Sequence, residues 1–268
     1  MVLTWMLMEK LNKNLFDLSK RYTLITGACG LLGEQHSLAL SLINSNLILI
    51  DIDEKKGLQL KKKLTKRFKN KIFYFNCNIT NKQQIINLKK NLTNLNIAIS
   101  VIINNASINP QPKNQTKDDN WEDSLGVGLT GAKNIIEVFY KDMIKKKHGN
   151  IINIASDLSI IAPDQRIYKS KKYYKPISYS VVKHGMVGIT KYYASLLGRY
   201  NIRCNCLSPG GVFNNQPKKF VNKLKYLIPL NRMAKKNEYI GAIQFLASDA
   251  TKYMTGHNLI IDGGRSII

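Results

Sequence analysis

The sequence predicts an α/β fold, a doubly wound parallel sheet in a single domain, and three observations predict it. Short apolar runs alternate with longer stretches of helical period from one end of the chain to the other. The short runs are apolar throughout, as strands covered by helices on both faces are. No Pro/Gly/Ser-rich linker and no internal repeat divides the 268 residues, a length that one large α/β domain accommodates. A β-α repetition of this kind closes through right-handed crossovers.

The elements follow in order. Strands are expected at Tyr22–Thr26, Asn46–Asp51, Ile72–Cys77, Ile97–Asn104, Asn150–Ala155, Ile202–Leu207 and Asn258–Ile261, each a short apolar run. Helices are expected between them at Leu31–Ile43, Glu54–Phe68, Lys82–Leu92, Trp121–Lys147, Tyr179–Arg199 and Asn237–Ala247. Asp53 suits the N-cap of the second helix. Residues 1–14 read as an N-terminal extension, because the apolar start precedes its Lys residues, the wrong polarity for a secretory signal. No apolar run reaches the ~20 residues that span a bilayer, so no membrane association is expected.

The formal charge of +24 comes almost wholly from Lys dispersed through every segment. That dispersal predicts solvated faces and no nucleic-acid stripe, although anionic small molecules would be attracted. The four cysteines, Cys29, Cys77, Cys204 and Cys206, show neither metal-ligand spacing nor a Cys/His cluster. Reduced thiols in a cytoplasmic protein fit them, with no metal expected. The histidines are scattered, and His184 points about 100° away from its neighbour Lys183 on the helix.

Ligands of doubly wound sheets sit at the carboxyl ends of the strands. The first strand runs into Thr26-Gly27-Ala28-Cys29-Gly30-Leu31-Leu32-Gly33 and then a helix. Glycines three apart permit a tight turn and bring helix-start N–H groups onto a pyrophosphate. Asp51 ends the second strand, where a carboxylate can accept both hydroxyls of an adenosine ribose and repel a 2′-phosphate. NAD is therefore expected over NADP. Tyr179 and Lys183 lie four residues apart and share a helix face. An ammonium that near a phenol favours the phenolate, so the Tyr179 pKa is expected to fall and Tyr179 to exchange protons with an alcohol/carbonyl pair.

With these motifs in place, the chain resembles the short-chain dehydrogenases/reductases from about Leu15 to its end, and the resemblance implies a Rossmann fold. Asn104-Asn105-Ala106 resembles the motif bordering the adenosine side. Asn153-Ile154-Ala155-Ser156 ends the fifth strand where the family places its catalytic Ser, and Tyr179 and Lys183 fall on its Tyr/Lys pair. Ser208-Pro209-Gly210-Gly211-Val212 resembles the loop on the nicotinamide, and Ile261-Asp262-Gly263-Gly264 the final strand and turn. The resemblance implies that Ser156 holds the substrate oxygen and that Lys183 binds the nicotinamide ribose and lowers the Tyr179 pKa. It also implies cofactor contacts at Gly27, Gly30, Leu32, Gly33, Asp51, Asn78, Ile79, Asn105, Ala106, Tyr179, Lys183, Pro209, Gly210 and Val212. Family members pair long helices as homodimers or homotetramers.

The match departs from the family in places. Gly128 stands in Val127-Gly128-Leu129 where an Asn usually anchors a water of the proton relay. Asn78 replaces an Asp, and its carbonyl could accept from the adenine amino group. Asn214 holds a position expected to be Thr. Ser156 and Tyr179 are further apart than usual, and the surplus lies in an insertion at 162–177 rich in Lys and Tyr. That insertion reads either as a solvated surface loop or as a lid whose Arg166 and Tyr168 hold a phosphate- or carboxylate-bearing substrate.

The stretch Ala155-Ser156-Asp157-Leu158-Ser159 with Ala162-Pro163-Asp164-Gln165-Arg166 resembles a subgroup of flagellin and surface-polysaccharide modification oxidoreductases, associated with nonulosonic acids. Gly126–Gly131 agrees with the same subgroup. The implied activity is NAD(H)-dependent interconversion of a secondary alcohol and a ketone on a sugar or nucleotide-sugar. A 3-oxoacyl or general carbonyl reductase is the alternative within the enzyme class. A catalytically silent dinucleotide sensor or scaffold, for which Gly128 speaks, is the alternative outside it. A basic RNA-binding protein on the same fold ranks last.

Overall fold

The apolar runs form a seven-stranded sheet in which every neighbouring pair is parallel. The structure, a computed structural model, describes residues 15–109, 113–114, 120–168 and 173–268. The expected extension over residues 1–14 lies outside these, as do Lys169, Lys171 and Lys172 of the insertion.

The sheet strands are β1 (Tyr22–Thr26), β2 (Asn46–Asp51), β3 (Ile72–Asn76), β4 (Ile99–Asn104), β6 (Gly149–Ile154), β8 (Ile202–Pro209) and β9 (Asn258–Ile261). Their order is β3-β2-β1-β4-β6-β8-β9. A separate antiparallel pair joins β5 (Lys113–Asn114) to β7 (Tyr173–Tyr174), so the insertion meets the segment after β4. The helices are α1 (Leu31–Ser41), α2 (Glu54–Arg67), α3 (Lys82–Asn94), α4 (Trp121–Leu125), α5 (Ala132–Lys146), α6 (Ile177–Leu197), α7 (Lys218–Lys225) and α8 (Ile240–Ala247).

The unbroken apolar character of the strands has a direct cause. Leu24, Ile48 and Ile102 face one layer, packed with Ile85, Leu88, Ile135, Phe139 and Leu197 of α3, α5 and α6. Their neighbours Ile25, Leu49 and Ile103 face the other, packed with Leu40, Leu60, Tyr239 and Ile243 on or beside α1, α2 and α8. With both faces buried, no alternation survives. Asp53 caps α2 as expected, accepting from the Lys56 amide.

The single expected helix at 121–147 is interrupted. Between α4 and α5 lies a π-helical segment, Gly126–Gly131, in a stretch whose three glycines weaken helix propensity. These glycines allow close contact. A Cβ at Gly128 would stand 2.4 Å from Val182 Cγ1 of α6, and one at Gly131 2.6 Å from Ile79 Cδ1. The amphipathic α7 is an element absent from the sequence reading, since its few apolar residues are spaced among lysines. Among the described residues no helix is long and apolar enough to cross a membrane.

Candidate active site

The carboxyl edge of the sheet opens into one cleft of about 1600 Å³, running from the turn after β1 past β2 and β4 to β6, α6 and the loop after β8. The strand order reverses between β1 and β4, the place where doubly wound sheets bind ligands.

The turn after β1 is shaped by contacts that exclude side chains. Gly27 has φ +59, and a Cβ there would lie 2.8 Å from the Ala106 Cα. At Gly33 a Cβ would meet the Gly27 carbonyl oxygen at 2.2 Å. Asn105 holds the turn from β4, its Nδ2 donating to the carbonyls of Thr26 (3.0 Å) and Gly27 (2.8 Å). Thr26 Oγ1 accepts from the Asn105 and Ala106 amides, so the two strand ends are bonded into one unit. Gly30 occupies the N-cap of α1 and offers no side chain to the first-turn amides. A cradle too tight for Cβ atoms beneath an uncapped helix start suits a pyrophosphate. Leu32 lines the same wall.

Asp51 stands at the end of β2 with both oxygens toward backbone amides, Oδ2 accepting from Cys29 N (2.9 Å) and Oδ1 from Asp53 N (3.1 Å). A carboxylate has about four acceptor sites, so capacity for ribose hydroxyls remains. Asn78 and Ile79 line the cleft, but Asn78 Oδ1 accepts from both the amide and the hydroxyl of Thr80. Its carbonyl is thus engaged in the turn before α3, which corrects the expectation that it is available to an adenine amino group.

The second half of the cleft gathers Ser156, Tyr179 and Lys183. Ser156 leaves β6 and caps a short 3-10 turn, Asp157–Ser159. Its Oγ donates to Asp157 Oδ1 at 2.7 Å and accepts from the Leu158 amide at 3.2 Å. Lys183 is buried, and its Nζ donates to the Ile154 carbonyl at 3.0 Å and lies 5.5 Å from the Tyr179 ring centroid. Burial pushes the Lys183 pKa down to about 8. The same burial pushes Tyr179 up to about 12, against a hydrogen bond shared with Ser156. Burial of the phenol thus pushes Tyr179 in the direction opposite to the lowering expected from Lys183.

The insertion supplies a third group. Lys175 Nζ sits 3.8 Å from the Tyr179 ring centroid and bonds Asn109 Oδ1, and burial pushes its pKa down to about 8. The sequence marks the insertion as rich in Lys and Tyr without singling out Lys175. Tyr168 lines the cleft and packs on Phe220 of α7, their centroids 5.7 Å apart. Arg166 does not line it. Its side chain is 88% exposed and paired with Asp164 at 2.7 Å, which holds the Asp164 carboxyl down at about 2. The structure thus separates the two expected substrate residues.

Pro209, Gly210 and Val212 close the far wall. A Cβ at Gly210 would lie 2.6 Å from the Asp262 Cα, which explains why glycine stands opposite the turn after β9. Asn214 also lines the cleft. Among the described residues no group of three or more His, Cys, Asp or Glu could hold a metal ion.

A parallel sheet with a pyrophosphate cradle and a Ser/Tyr/Lys cluster in one cleft defines a class, the dinucleotide-dependent oxidoreductases. Comparison with known proteins narrows the class. Residues 32–266 match the family model described as enoyl-(acyl carrier protein) reductase. The chain is 30% identical over 253 residues to a 3-oxoacyl-[acyl-carrier-protein] reductase, FabG, of Thermotoga maritima, covering 92% of this chain and 98% of the relative. It is 28% identical to post-translational flagellin modification protein A of Campylobacter coli, with the same coverage. Among solved structures, a short chain dehydrogenase of Leptospira borgpetersenii with bound NAD+ is 29% identical, with TM-score 0.80 over 92% of each chain. A gluconate 5-dehydrogenase of Burkholderia cenocepacia, in complex with NADP and tartrate, is 25% identical, with TM-score 0.86 over 95% of this chain and 98% of the other. The chain belongs to the short-chain dehydrogenase/reductase family and is an NAD(P)-dependent oxidoreductase.

Proposed function

We propose that this enzyme interconverts a secondary alcohol and a ketone with NAD(H), on a sugar or nucleotide-sugar used in surface glycan or flagellin modification. The observation that carries the reading is the convergence of Ser156, Tyr179 and Lys183 with the cradle of Gly27, Gly30 and Gly33 in one cleft. A bound nicotinamide supplies or accepts the hydride. Tyr179 gives its proton to the substrate oxygen or takes one from it. Ser156 holds that oxygen, and Lys183 reaches the nicotinamide ribose. The neutral Tyr179 favoured by burial is the form that donates a proton to a ketone oxygen.

The glycan reading draws on likeness to the flagellin modification protein and the gluconate 5-dehydrogenase. It also draws on the cations Lys175, Lys219 and Lys223 in the substrate end of the cleft. A specific observation favours a second reading, a 3-oxoacyl or general carbonyl reductase. Ile167, Tyr168, Phe220, Leu224 and Met233 form an apolar wall at the same end, and the Thermotoga relative acts on a 3-oxoacyl carrier. The intact Ser/Tyr/Lys set argues against a silent sensor. The four free cysteines fit a cytoplasmic setting. Val181, Tyr192 and Leu196 are exposed on α6 and fit pairing of that helix in a homodimer or homotetramer.

Asp51 is the ground for NAD over NADP. NADH is expected to bind at least tenfold more tightly than NADPH in a fluorescence titration, a difference of about 1.4 kcal/mol. Asp51→Ala is expected to bring the two affinities together. Equal affinities in the unmodified enzyme would overturn the cofactor assignment. Turnover of phosphorylated sugars and nucleotide-sugars against 3-oxoacyl thioesters separates the two substrate readings.

A further inference from the structure

Lys175 stands against the reacting phenol and is fixed there from its backbone outward. The turn Gln165–Ile167 opens on Asp164, whose carboxylate accepts from the Arg166 amide. Gln165 then grips the far end of the insertion. Its Oε1 accepts from the Lys175 amide at 2.8 Å, and its Nε2 donates to the Lys175 carbonyl at 3.4 Å. Pro176 follows as the N-cap of α6, and a residue before proline is confined to extended backbone. From this held backbone the ammonium donates to Asn109 Oδ1, in the loop after β4, and lies over the Tyr179 ring, 3.8 Å from its centroid. Lys175, Asn109 and Tyr179 all line the cleft. Ordering a long side chain and partly burying its charge are both unfavourable, and a Leu or Met would cover the ring as well. A cation held at this place calls for an anion in the reaction.

The geometry limits where that anion can be. An ammonium over the face of a phenol ring at this separation stands roughly 5 Å from the phenol oxygen. The reacting substrate oxygen hydrogen-bonds to that phenol, so an anionic oxygen on Lys175 lies about 5 Å from it when both bonds point into the cleft. A carboxylate whose carbon is two or three bonds from the reacting carbon meets this span. It is a stronger acceptor than the Asn109 amide oxygen and competes with it for the ammonium. The Asn109 amide, at an exposed position, has N–H groups for the second carboxylate oxygen.

The neighbouring cations are committed elsewhere. Arg265 is paired with buried Asp157, Arg166 with Asp164, and Lys223 holds the carbonyls of Arg166 and Tyr168. Lys183 donates to the Ile154 carbonyl. Glu122 and Asp123 of α4 also line the cleft, so an anion gains only where a cation is held close to the phenol. One ammonium and one amide match the single charge of a carboxylate, whereas a phosphate ester takes more donors.

We infer that Lys175 is a specificity-determining residue that binds the carboxylate of a sugar acid and sets its carbinol carbon before Tyr179. This role deepens the sugar reading and rests on the assignment of Tyr179 as the proton donor. It selects against neutral sugars, against nucleotide-sugars, whose anion is a diphosphate, and against uncharged thioesters.

Full-length protein loaded with NADH, on which an alcohol binds without reacting, is titrated by calorimetry with threonate, arabinonate, gluconate and glucuronate, and with the amide of each. Glycerol 3-phosphate and glucose 6-phosphate are run beside them. At least one acid is expected to bind about tenfold or more tightly than its amide. In Lys175→Met that acid and its amide are expected to come within about twofold, with the affinity of the amide and the NADH Kd nearly unchanged. Gln165→Ala, at an exposed position, guards against misfolding of the first variant; it keeps the lysine but frees its backbone, and is expected to lose about threefold of the preference. Lys175→Arg keeps the charge and should keep part of it.

Acids that bind no better than their amides, absence of binding by every acid included, would overturn the inference. Equal losses for acid and amide in Lys175→Met would mean a merely structural lysine, and a Lys175-dependent preference for the phosphates over the acids would overturn the carboxylate. Failure of the proposed reaction reads differently. Turnover of a neutral sugar that Tyr179→Phe abolishes, with no preference for acids, keeps the reaction and removes the role of Lys175. A Lys175-dependent preference for acids in an enzyme whose turnover survives Tyr179→Phe keeps the carboxylate site and removes the assignment of Tyr179.

Discussion

At Gly128 a missing side chain decides how the helix carrying Tyr179 meets its neighbour. The position usually held by Asn in this family is filled from the other side by Val182, whose Cγ1 would lie 2.4 Å from a Cβ at 128. Gly128 is thus one half of a matched pair, and restoring the Asn alone overpacks the contact. Glycine to a larger residue in a helix normally gains stability. Here Gly128→Asn is expected to lower it by about 2–3 kcal/mol in denaturant unfolding. Adding Val182→Ala should recover most of that loss; a tolerated single substitution would refute the packing account. His36 makes a second residue-scale prediction. It is fully buried on α1, neither ring nitrogen has a hydrogen-bond partner, and burial pushes its pKa from 6.5 down to about 3. The folded state therefore resists a proton that the unfolded chain binds below pH 6.5, so stability falls as pH drops through that window. By pH 5 the loss is about 2 kcal/mol. Thermal melts of His36→Leu should show a flatter acid limb than the parent between pH 7 and 5. Identical limbs would mean that His36 is not the group responsible.

At the scale of elements, the insertion is part of a built wall. Ile167 and Tyr168 share a small core with Leu224, Ile228 and Met233. Lys223 Nζ of α7 donates to the carbonyls of Arg166 at 2.8 Å and Tyr168 at 3.4 Å. The insertion and α7 thus hold each other, next to the catalytic cluster and apart from the pyrophosphate cradle. Tyr168→Ala is expected to raise substrate KM about tenfold, the worth of roughly 1.4 kcal/mol, with NADH affinity within a factor of two and faster proteolysis at the insertion. A parallel loss of NADH affinity would show that the wall serves the whole cleft. This part of the molecule was poorly legible in the sequence. The excess of Lys and Tyr marks a loop at the catalytic mouth, but α7 is hidden by its lysines, and the choice between a solvated loop and a lid with Arg166 on the substrate turns on the pairing of Arg166 with Asp164, which the sequence does not display. The glycine turn, Asp51 and the Ser/Tyr/Lys cluster were legible because their spacing relative to strands and helices is itself the signal. Distances set by tertiary packing were not legible. Neither the pairing of Gly128 with Val182 nor the reach of Arg265 to Asp157, 108 residues apart, leaves a local trace.

For the whole molecule, the arrangement of layers explains why one cleft carries everything. Parallel strands end on the same edge, so the turns after β1, β2, β4, β6 and β8 converge there, and residues from Gly27 to Arg265 line a common space. The central claim, that Tyr179 moves the proton while a nicotinamide moves the hydride, is tested most directly by following nicotinamide absorbance with a panel of phosphorylated sugars, nucleotide-sugars and simple ketones. Tyr179→Phe is run in parallel. The account predicts turnover of at least one panel member by the parent enzyme and a fall of a hundredfold or more in Tyr179→Phe, of the order that loss of a general acid costs, with NADH binding intact. Turnover that survives in Tyr179→Phe would contradict it.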